Sequence, residues 1–301
     1  MQTKHSGTDS VPSFWFSHRS GSQAAGLIVL AAFLLVISAS ARAQSAAAHK
    51  LVKDVIYNEL NANHTDHTKW MYRDAYKSPA KDTVQLKVNT AEATLSKTIL
   101  MNGQPLTPEE QQQDRVKMDS LVNDPGARTR QHKNSTHDDQ QAISLMKMMS
   151  SGFLWTETGE FNGEITLHFK PNPAFQPPTY ASRVYAAMAG EMVVDAAQKR
   201  LKMLSGTLTK TVEFGWGLLG KLRAGGTFQV IQSQIAPGEW QITQTHVHIV
   251  GRALFFKDIG DQEEEETSHY KRTPPGLTLT QAAQMLNDGT VARELGIAPA
   301  K

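Results

Sequence analysis

Apolar and polar residues recur with two different periods along this chain. Between Leu51 and Leu60 apolar residues return every three or four positions, which predicts an amphipathic helix over residues 46–61. Residues 83–88 then alternate strictly between polar and apolar side chains, which is the period of a half-buried strand. We expect residues 90–100 to form the hairpin partner of that strand.

The helical period returns between residues 107 and 150. The segment Thr107-Pro108-Glu109-Glu110 places an N-cap threonine before a proline and a glutamate three residues after the cap, which predicts a helix start. The segment Asp124-Pro125-Gly126 is expected to break this helix, and a second helix is predicted from about residue 135 to 150.

From Phe153 onward, short alternating segments predict an antiparallel sheet. Leu204, Leu208, Val212 and Phe214 share one parity and so one face of a predicted strand. Further strands are predicted at residues 183–195, 227–235, 239–250 and 252–259. Such spacing favours a meander that curls into a barrel or half-barrel, followed by a short helix at residues 280–286.

The beginning of the chain has the pattern of an export signal. Residues 20–41 carry no charge, basic residues precede them, and Ala41-Arg42-Ala43 follows as a small-x-small motif. This predicts a signal peptide over residues 1–43, cleaved between Ala43 and Gln44. The alternative is an uncleaved N-terminal anchor, since about 20 apolar residues can span a bilayer.

Charge and cysteine content exclude several functions. The chain has 31 Lys and Arg against 29 Asp and Glu, and removal of residues 1–43 takes away three basic residues and one acidic residue. The remainder is neutral and has no basic block, so we expect no nucleic-acid partner. The absence of cysteine rules out thiolate zinc sites, iron–sulfur clusters and a cysteine nucleophile.

Three motifs carry candidate chemistry. Residues 215–220 match Gly-x-Gly-x-x-Gly, but no helix is predicted to open there, so we interpret them as a hairpin loop that covers the mouth of the sheet. His246 and His248 are expected to share a strand face with Trp240 and Ile242, where two imidazoles could bind zinc. The acidic run 261–266 is interpreted as a solvated loop.

A short segment resembles a known family. Gly190-Glu-Met-Val-Val-Asp195, then Gln198-Lys-Arg-Leu201 and Gly206-Thr-Leu208, is similar to the strand-turn-strand of the periplasmic lipoprotein-carrier superfamily (LolA, LolB and RseB-like). The order of the predicted elements is similar as well. Two features depart from the family. The helical stretch at 107–150 is longer than a minimal carrier needs, and the lack of cysteine excludes a lipid anchor of the LolB kind.

The resemblance implies an α+β fold in which a curved antiparallel β-sheet forms an unclosed half-barrel, with an N-terminal amphipathic helix and inserted lid helices. We expect one half-barrel domain over residues 44–275, with the helical insertion at about 107–150, and a C-terminal helix and tail over 276–301. The implied location is the periplasm.

The implied function is a non-enzymatic carrier or envelope sensor that binds a lipid acyl chain or a lipoprotein on its concave face, without a cofactor. An envelope protein is a further candidate partner. Two alternatives stay open: a secreted metal-dependent hydrolase that uses His246 and His248, and an interaction module without a ligand. The candidate ligand-binding residues are Leu204, Leu208, Val212, Phe214, Trp216, Leu218, Trp240 and Ile242.

Overall fold

The computed structural model describes residues 45–214, 220–249, 251–253 and 262–297. Gln44–Lys301 forms one compact unit. The predicted signal peptide lies outside the described residues. In chain order the elements are α1 (45–65), β1 (Trp70–Ser78), β2 (Lys81–Asn89), β3 (Thr94–Met101), α2 (Pro108–Asn123), α3 (Pro125–Gly152), β4 (Phe153–Phe161), β5 (Glu164–Pro171), α4 (Tyr180–Tyr185), β6 (Met188–Asp195), β7 (Arg200–Leu208), β8 (Val212–Phe214), β9 (Gly220–Leu222), β10 (Thr227–Ala236), β11 (Glu239–His248), β12 (Gly251–Ala253), β13 (Gln262–Arg272), α5 (Leu279–Asn287) and α6 (Thr290–Glu294).

Ten antiparallel strands form one curved sheet in the order β3-β2-β1-β13-β11-β10-β7-β6-β5-β4. The sheet does not close, because β3 and β4 stay at its two edges, and this confirms the predicted α+β fold with an unclosed antiparallel sheet. The predicted meander, in which strands that follow each other in the chain are neighbours in the sheet, is wrong where β13 lies between β1 and β11. Strands β12, β9 and β8 form a separate small sheet.

Local capping explains where the helices begin. The capping box of Thr107 and Glu110 starts α2 as predicted. The second helix begins at Pro125 and not near residue 135, because Asp124 caps it by accepting a hydrogen bond from the amide of Gly126, 2.7 Å away. The predicted break therefore lasts a single residue, and α3 is 28 residues long.

Two strand predictions are corrected. Residues 180–185 form helix α4, because Thr179 and Ser182 make a capping box, so the strand predicted from residue 183 begins only at Met188. The predicted continuous strand from Leu204 to Phe214 is divided into β7 and β8, which belong to different sheets. Strand β1 had no counterpart in the prediction.

Two hydrophobic cores lie on opposite faces of the large sheet. Core 1 joins α1 to Trp155, Leu167, Phe169 and their neighbours on strands β4 to β8. We name the face that carries core 1 the inner face. Core 2 joins α2, α5 and α6 to Met71, Leu86 and other residues of β1–β3, which point to the outer face.

Helix α3 runs between the two ends of the sheet on the inner side. Near its start the Gln131 amide bonds the backbone of Thr94 in edge strand β3, at 3.0 and 2.9 Å. Near its end the carbonyl of Met149 accepts a hydrogen bond from Trp155 Nε1 in β4, at 2.9 Å. Only Gly152 of α3 is buried, so most of this helix crosses the sheet without packing tightly on it.

Gly190 and Gly206 face each other in β6 and β7. A Cβ on Gly190 would lie 2.0 Å from the carbonyl oxygen of Ser205, and one on Gly206 would lie 2.6 Å from the ring of Phe228. The glycines therefore permit a close approach of strands and rings, as at the corners of barrels. None of the helices in the described ranges has the length and apolar character of a membrane-spanning segment.

Candidate functional site

A groove of about 890 Å³ lies between the C-terminal half of α1, the middle of α3 and the inner face of the sheet. We name it the inner groove. Its volume is in the range of small-molecule binding sites, roughly 300–1,000 Å³. Its apolar and aromatic lining consists of Leu60, Ala62, Trp70, Tyr72, Ala142, Ile143, Met146, Pro237, Trp240, Ile242 and Tyr270, and the other lining residues are polar or charged apart from Gly238.

A register shift in β11 brings Trp240 and Ile242 to this groove. Ile231 pairs with Gln244 while the next residue of β10 pairs with Ile242, so β11 contains one extra residue, Thr243. A bulge of this kind reverses which side chains face inward. The predicted shared face with His246 and His248 is therefore wrong.

Those two histidines point to the outer face instead. His246 pairs with Gln229 and Glu264 across neighbouring strands, in an open depression of about 820 Å³ on that face. Nowhere in the described ranges do three or more His, Asp or Glu side chains converge where they could hold a metal ion. The structure therefore supplies no third protein ligand for the proposed histidine pair within those ranges.

A second shift, in β13, brings Tyr270 to the groove. Arg73 pairs with Ser268 while Met71 pairs with Lys271, so β13 contains one more residue than β1 there, and His269 has a φ of 57°. The Tyr270 ring consequently stacks on Tyr72 at 5.2 Å between centroids. Bulges frequently re-aim side chains next to functional sites.

A buried ion pair closes one end of the groove. Both carboxylate oxygens of Glu59 accept hydrogen bonds from Arg200, at 2.8 and 2.9 Å, and Glu59 also accepts from the Leu201 amide and from Gln232. The Arg200 guanidinium lies over the Trp240 ring, 5.7 Å from its centroid. This cluster connects α1 to β7, β10 and β11.

A similar cluster lies at the neighbouring wall. Arg272 forms an ion pair with Glu239 and lies over the ring of Trp70, 5.7 Å from the centroid. Trp70 Nε1 and Glu239 Oε2 are buried and have no hydrogen-bond partner within the described residues. Both arginines near the groove are therefore already paired with a carboxylate.

The third cluster has an excess of carboxylates. Asp74 is 3% exposed and forms an ion pair with Lys87, while its Oδ1 has no donor in the described part of the chain. Glu265, which lines the groove, faces Asp74. Burial raises the pKa of the Glu265 carboxyl above its ordinary value, and the charge of Asp74 raises it further.

The two stacked tyrosines border these carboxylates. Burial raises the pKa of Tyr270 to about 12, and the nearby Tyr72, Asp74 and Glu265 oppose its ionisation. Burial, assisted by Asp74 and Glu265, also raises the pKa of Tyr72. Both phenols are therefore neutral at physiological pH and present uncharged aromatic surface to the groove.

The candidate ligand-binding residues separate into three groups. Leu208, Val212 and Phe214 are buried in core 1, and Leu204 packs against it, so these four are structural. Trp216 and Leu218 lie outside the described residues, as does most of the glycine motif. Trp240 and Ile242 line the inner groove.

Sequence reasoning missed the wall formed by β1 and β13. This wall consists of Trp70, Tyr72, Glu265 and Tyr270. The aromatic residues at 70, 72 and 76, which share one parity and so one face of a strand, were the signal that could have predicted β1. No family model matches this chain, and no curated protein of similar sequence is found.

Proposed function

We propose that this protein is a non-enzymatic carrier or envelope sensor that holds the acyl chain of a lipid or lipoprotein in the inner groove. The observation that carries the proposal is the apolar lining between α3 and the inner face of the sheet. Ile242 is 53% exposed there although it faces the interior of the curved sheet. Burial of alkyl groups against such a surface contributes about 0.8 kcal/mol for each CH₂.

The arrangement of α3 supports the same proposal. The helix is held at β3 through Gln131 and at β4 through Met149, while its middle lines the groove. A helix that is anchored at both ends and loosely packed between them leaves room for a flexible chain. Its groove-facing side chains include Ile143 and Met146, and methionine adapts readily to irregular apolar ligands.

The first test is native mass spectrometry of protein purified from its own envelope. We expect a co-purifying lipid or lipoprotein. Co-purification of a protein without lipid would instead favour an interaction module. A stoichiometric divalent ion that is lost in His246→Ala would favour the hydrolase.

The second test is a titration with dodecyl maltoside, a neutral alkyl probe, below its micelle concentration. Ile242→Asn should weaken binding about tenfold, because an apolar contact of about 1.5 kcal/mol is lost. Val116→Asn is the matched control, since Val116 is 56% exposed on α2, away from the groove. Equal effects of the two substitutions would contradict the proposal.

The proposed location is the periplasm, after export by the signal peptide. N-terminal sequencing of the mature protein should find Gln44 as the first residue. A mature protein that begins within residues 1–43 and partitions with membranes would instead support the uncleaved anchor.

A further inference from the structure

We propose that the wall formed by Tyr72, Glu265 and Tyr270 binds a cationic ammonium head group, so that the ligand of the inner groove is an amphiphile with a positively charged amine. This inference rests on the proposed function and names the chemical class of its ligand. It depends on three features of the wall: its charge balance, an unpartnered buried oxygen and the stacked aromatic pair.

The charge balance at this wall favours a cation. Asp74 and Glu265 face each other, and Lys87 pairs with Asp74 alone. When Asp74 and Glu265 are both ionised, the pair therefore carries one negative charge more than Lys87 can neutralise.

The buried oxygen points to a missing donor. Asp74 is only 3% exposed, and its Oδ1 has no hydrogen-bond donor among the residues that the structure describes. A buried carboxylate oxygen without a donor is costly. The donor is supplied either by a proton on Glu265, which is hydrogen-bonded to Asp74, or by the N–H groups of an ammonium ligand that allows both carboxylates to stay ionised.

The aromatic pair provides the remaining recognition. The rings of Tyr72 and Tyr270 stack with an angle of 18° and border the groove beside Glu265. Neutral aromatic faces attract ammonium and quaternary ammonium groups. Arg200 and Arg272 are already paired with Glu59 and Glu239, so the exposed Lys69 is the one basic residue of the groove lining without a carboxylate partner among the described residues.

The test compares three dodecyl probes that share one chain and differ in charge: dodecylammonium, whose N–H groups can donate hydrogen bonds, dodecyl maltoside and dodecyl sulfate. Each is titrated into the purified protein below its micelle concentration at neutral pH. We expect dodecylammonium to bind about tenfold more tightly than dodecyl sulfate. Glu265→Gln should remove this preference.

Glu264→Gln is the matched control. Glu264 is the adjacent residue of β13, but it pairs with His246 and faces outward, so its substitution should change none of the three affinities. The inference is overturned if Glu265→Gln leaves the cation preference intact, or if both substitutions reduce it equally. In that case continued binding of dodecyl maltoside still supports the proposed function.

Two further arms separate the proposals and identify the source of the cation. Failure of all three dodecyl probes to bind overturns both proposals together. Methylammonium, which has the same kind of head group without the long alkyl chain, should bind at least about tenfold more weakly than dodecylammonium. Equal affinity would support the cation site but contradict the acyl groove, because the ligand would then be a small free amine.

A pH series provides an independent readout. The charged and titratable groups around Glu265 are Asp74 and Tyr72 on β1, Lys87 on β2, Glu263 and Tyr270 on β13, and Asp139, which lines the groove from α3. A proton on Glu265 competes with the ammonium group, so cation affinity should fall as the pH drops through the raised pKa of Glu265. Glu265→Gln should show no such dependence, and an identical slope in both proteins would contradict the inference.

Discussion

Glu59→Ala should destabilise the protein by about 3–5 kcal/mol. The side chains of Glu59 and Arg200 are only 7% and 11% exposed. The substitution removes all four hydrogen bonds to the carboxylate and leaves the guanidinium of Arg200 without its counterion. Removing one partner of a buried ion pair has a cost in this range, because the remaining charge stays desolvated. Since the cluster borders the groove, water can reach Arg200 in part, and we expect the lower end, about 3 kcal/mol.

The assay is equilibrium unfolding in urea, followed by far-UV circular dichroism. Glu213→Gln is the control, because Glu213 pairs with Lys221 at 2.7 Å in an exposed position, where an ion pair contributes less than about 1 kcal/mol. Replacing both Glu59 and Arg200 with leucine and methionine should recover much of the loss, since no unpaired charge remains. The reasoning is refuted if Glu59→Ala loses no more stability than Glu213→Gln.

Three other substitutions test separate parts of the structure. Gly190→Ala should lower the melting temperature more than Gly206→Ala. The new Cβ at position 190 would lie 2.0 Å from a backbone oxygen, whereas the one at position 206 would lie 2.6 Å from a movable aromatic ring. Equal decreases in melting temperature would contradict the proposed close approach of the strands at Gly190. Phe214→Ala should cost about 3–5 kcal/mol in urea unfolding, since Phe214 is fully buried, while Trp216→Ala should cost less and weaken lipid binding. The stability associated with the raised pKa of Glu265 is complete below its ordinary pKa of 4.5 and is lost as the pH rises through the folded value. Glu265→Gln should therefore stabilise the ligand-free protein at neutral pH, with a smaller gain at pH values below 4.5; a gain that is independent of pH would argue against the Asp74 contact.

Features that depend on neighbouring residues could be predicted from the sequence. The capping box of Thr107 and Glu110 involves groups only three positions apart. The apolar face of α1 and the alternation of β2 are local as well. The unclosed antiparallel sheet follows from such elements.

The acidic run shows where local reasoning fails. Five acidic residues in six positions suggested a solvated loop, but residues 262–266 belong to a central strand. The outer-facing Glu264 lies opposite Lys77 of β1, and the inner-facing Glu265 borders the groove, so neither is enclosed in an apolar core. The strand is stabilised by partners that are distant in sequence, and no window around the run contains them.

The lining of the groove depended on two single-residue irregularities. Thr243 and His269 each shift a strand register, and each shift exchanges the inner and outer faces for the residues beyond it. Strict alternation therefore placed Trp240 beside His246, and it offered no reason to place Tyr270 inside. Bulges of this kind depend on how two strands pair, which a single-strand pattern does not contain.

The position of β13 between β1 and β11 also determines when the groove can form. Tyr76 and Glu263, which bond across this join, are separated by 187 residues. Closing so long a loop has an entropic cost before any contact forms, so pairing of this kind slows folding. Until β13 emerges from the ribosome, β1 and β11 both present open strand edges that can pair with other chains. The proposed ammonium wall, of which Glu265 and Tyr270 belong to β13, therefore forms only after synthesis of this strand, and a nascent chain cannot acquire the proposed ligand earlier.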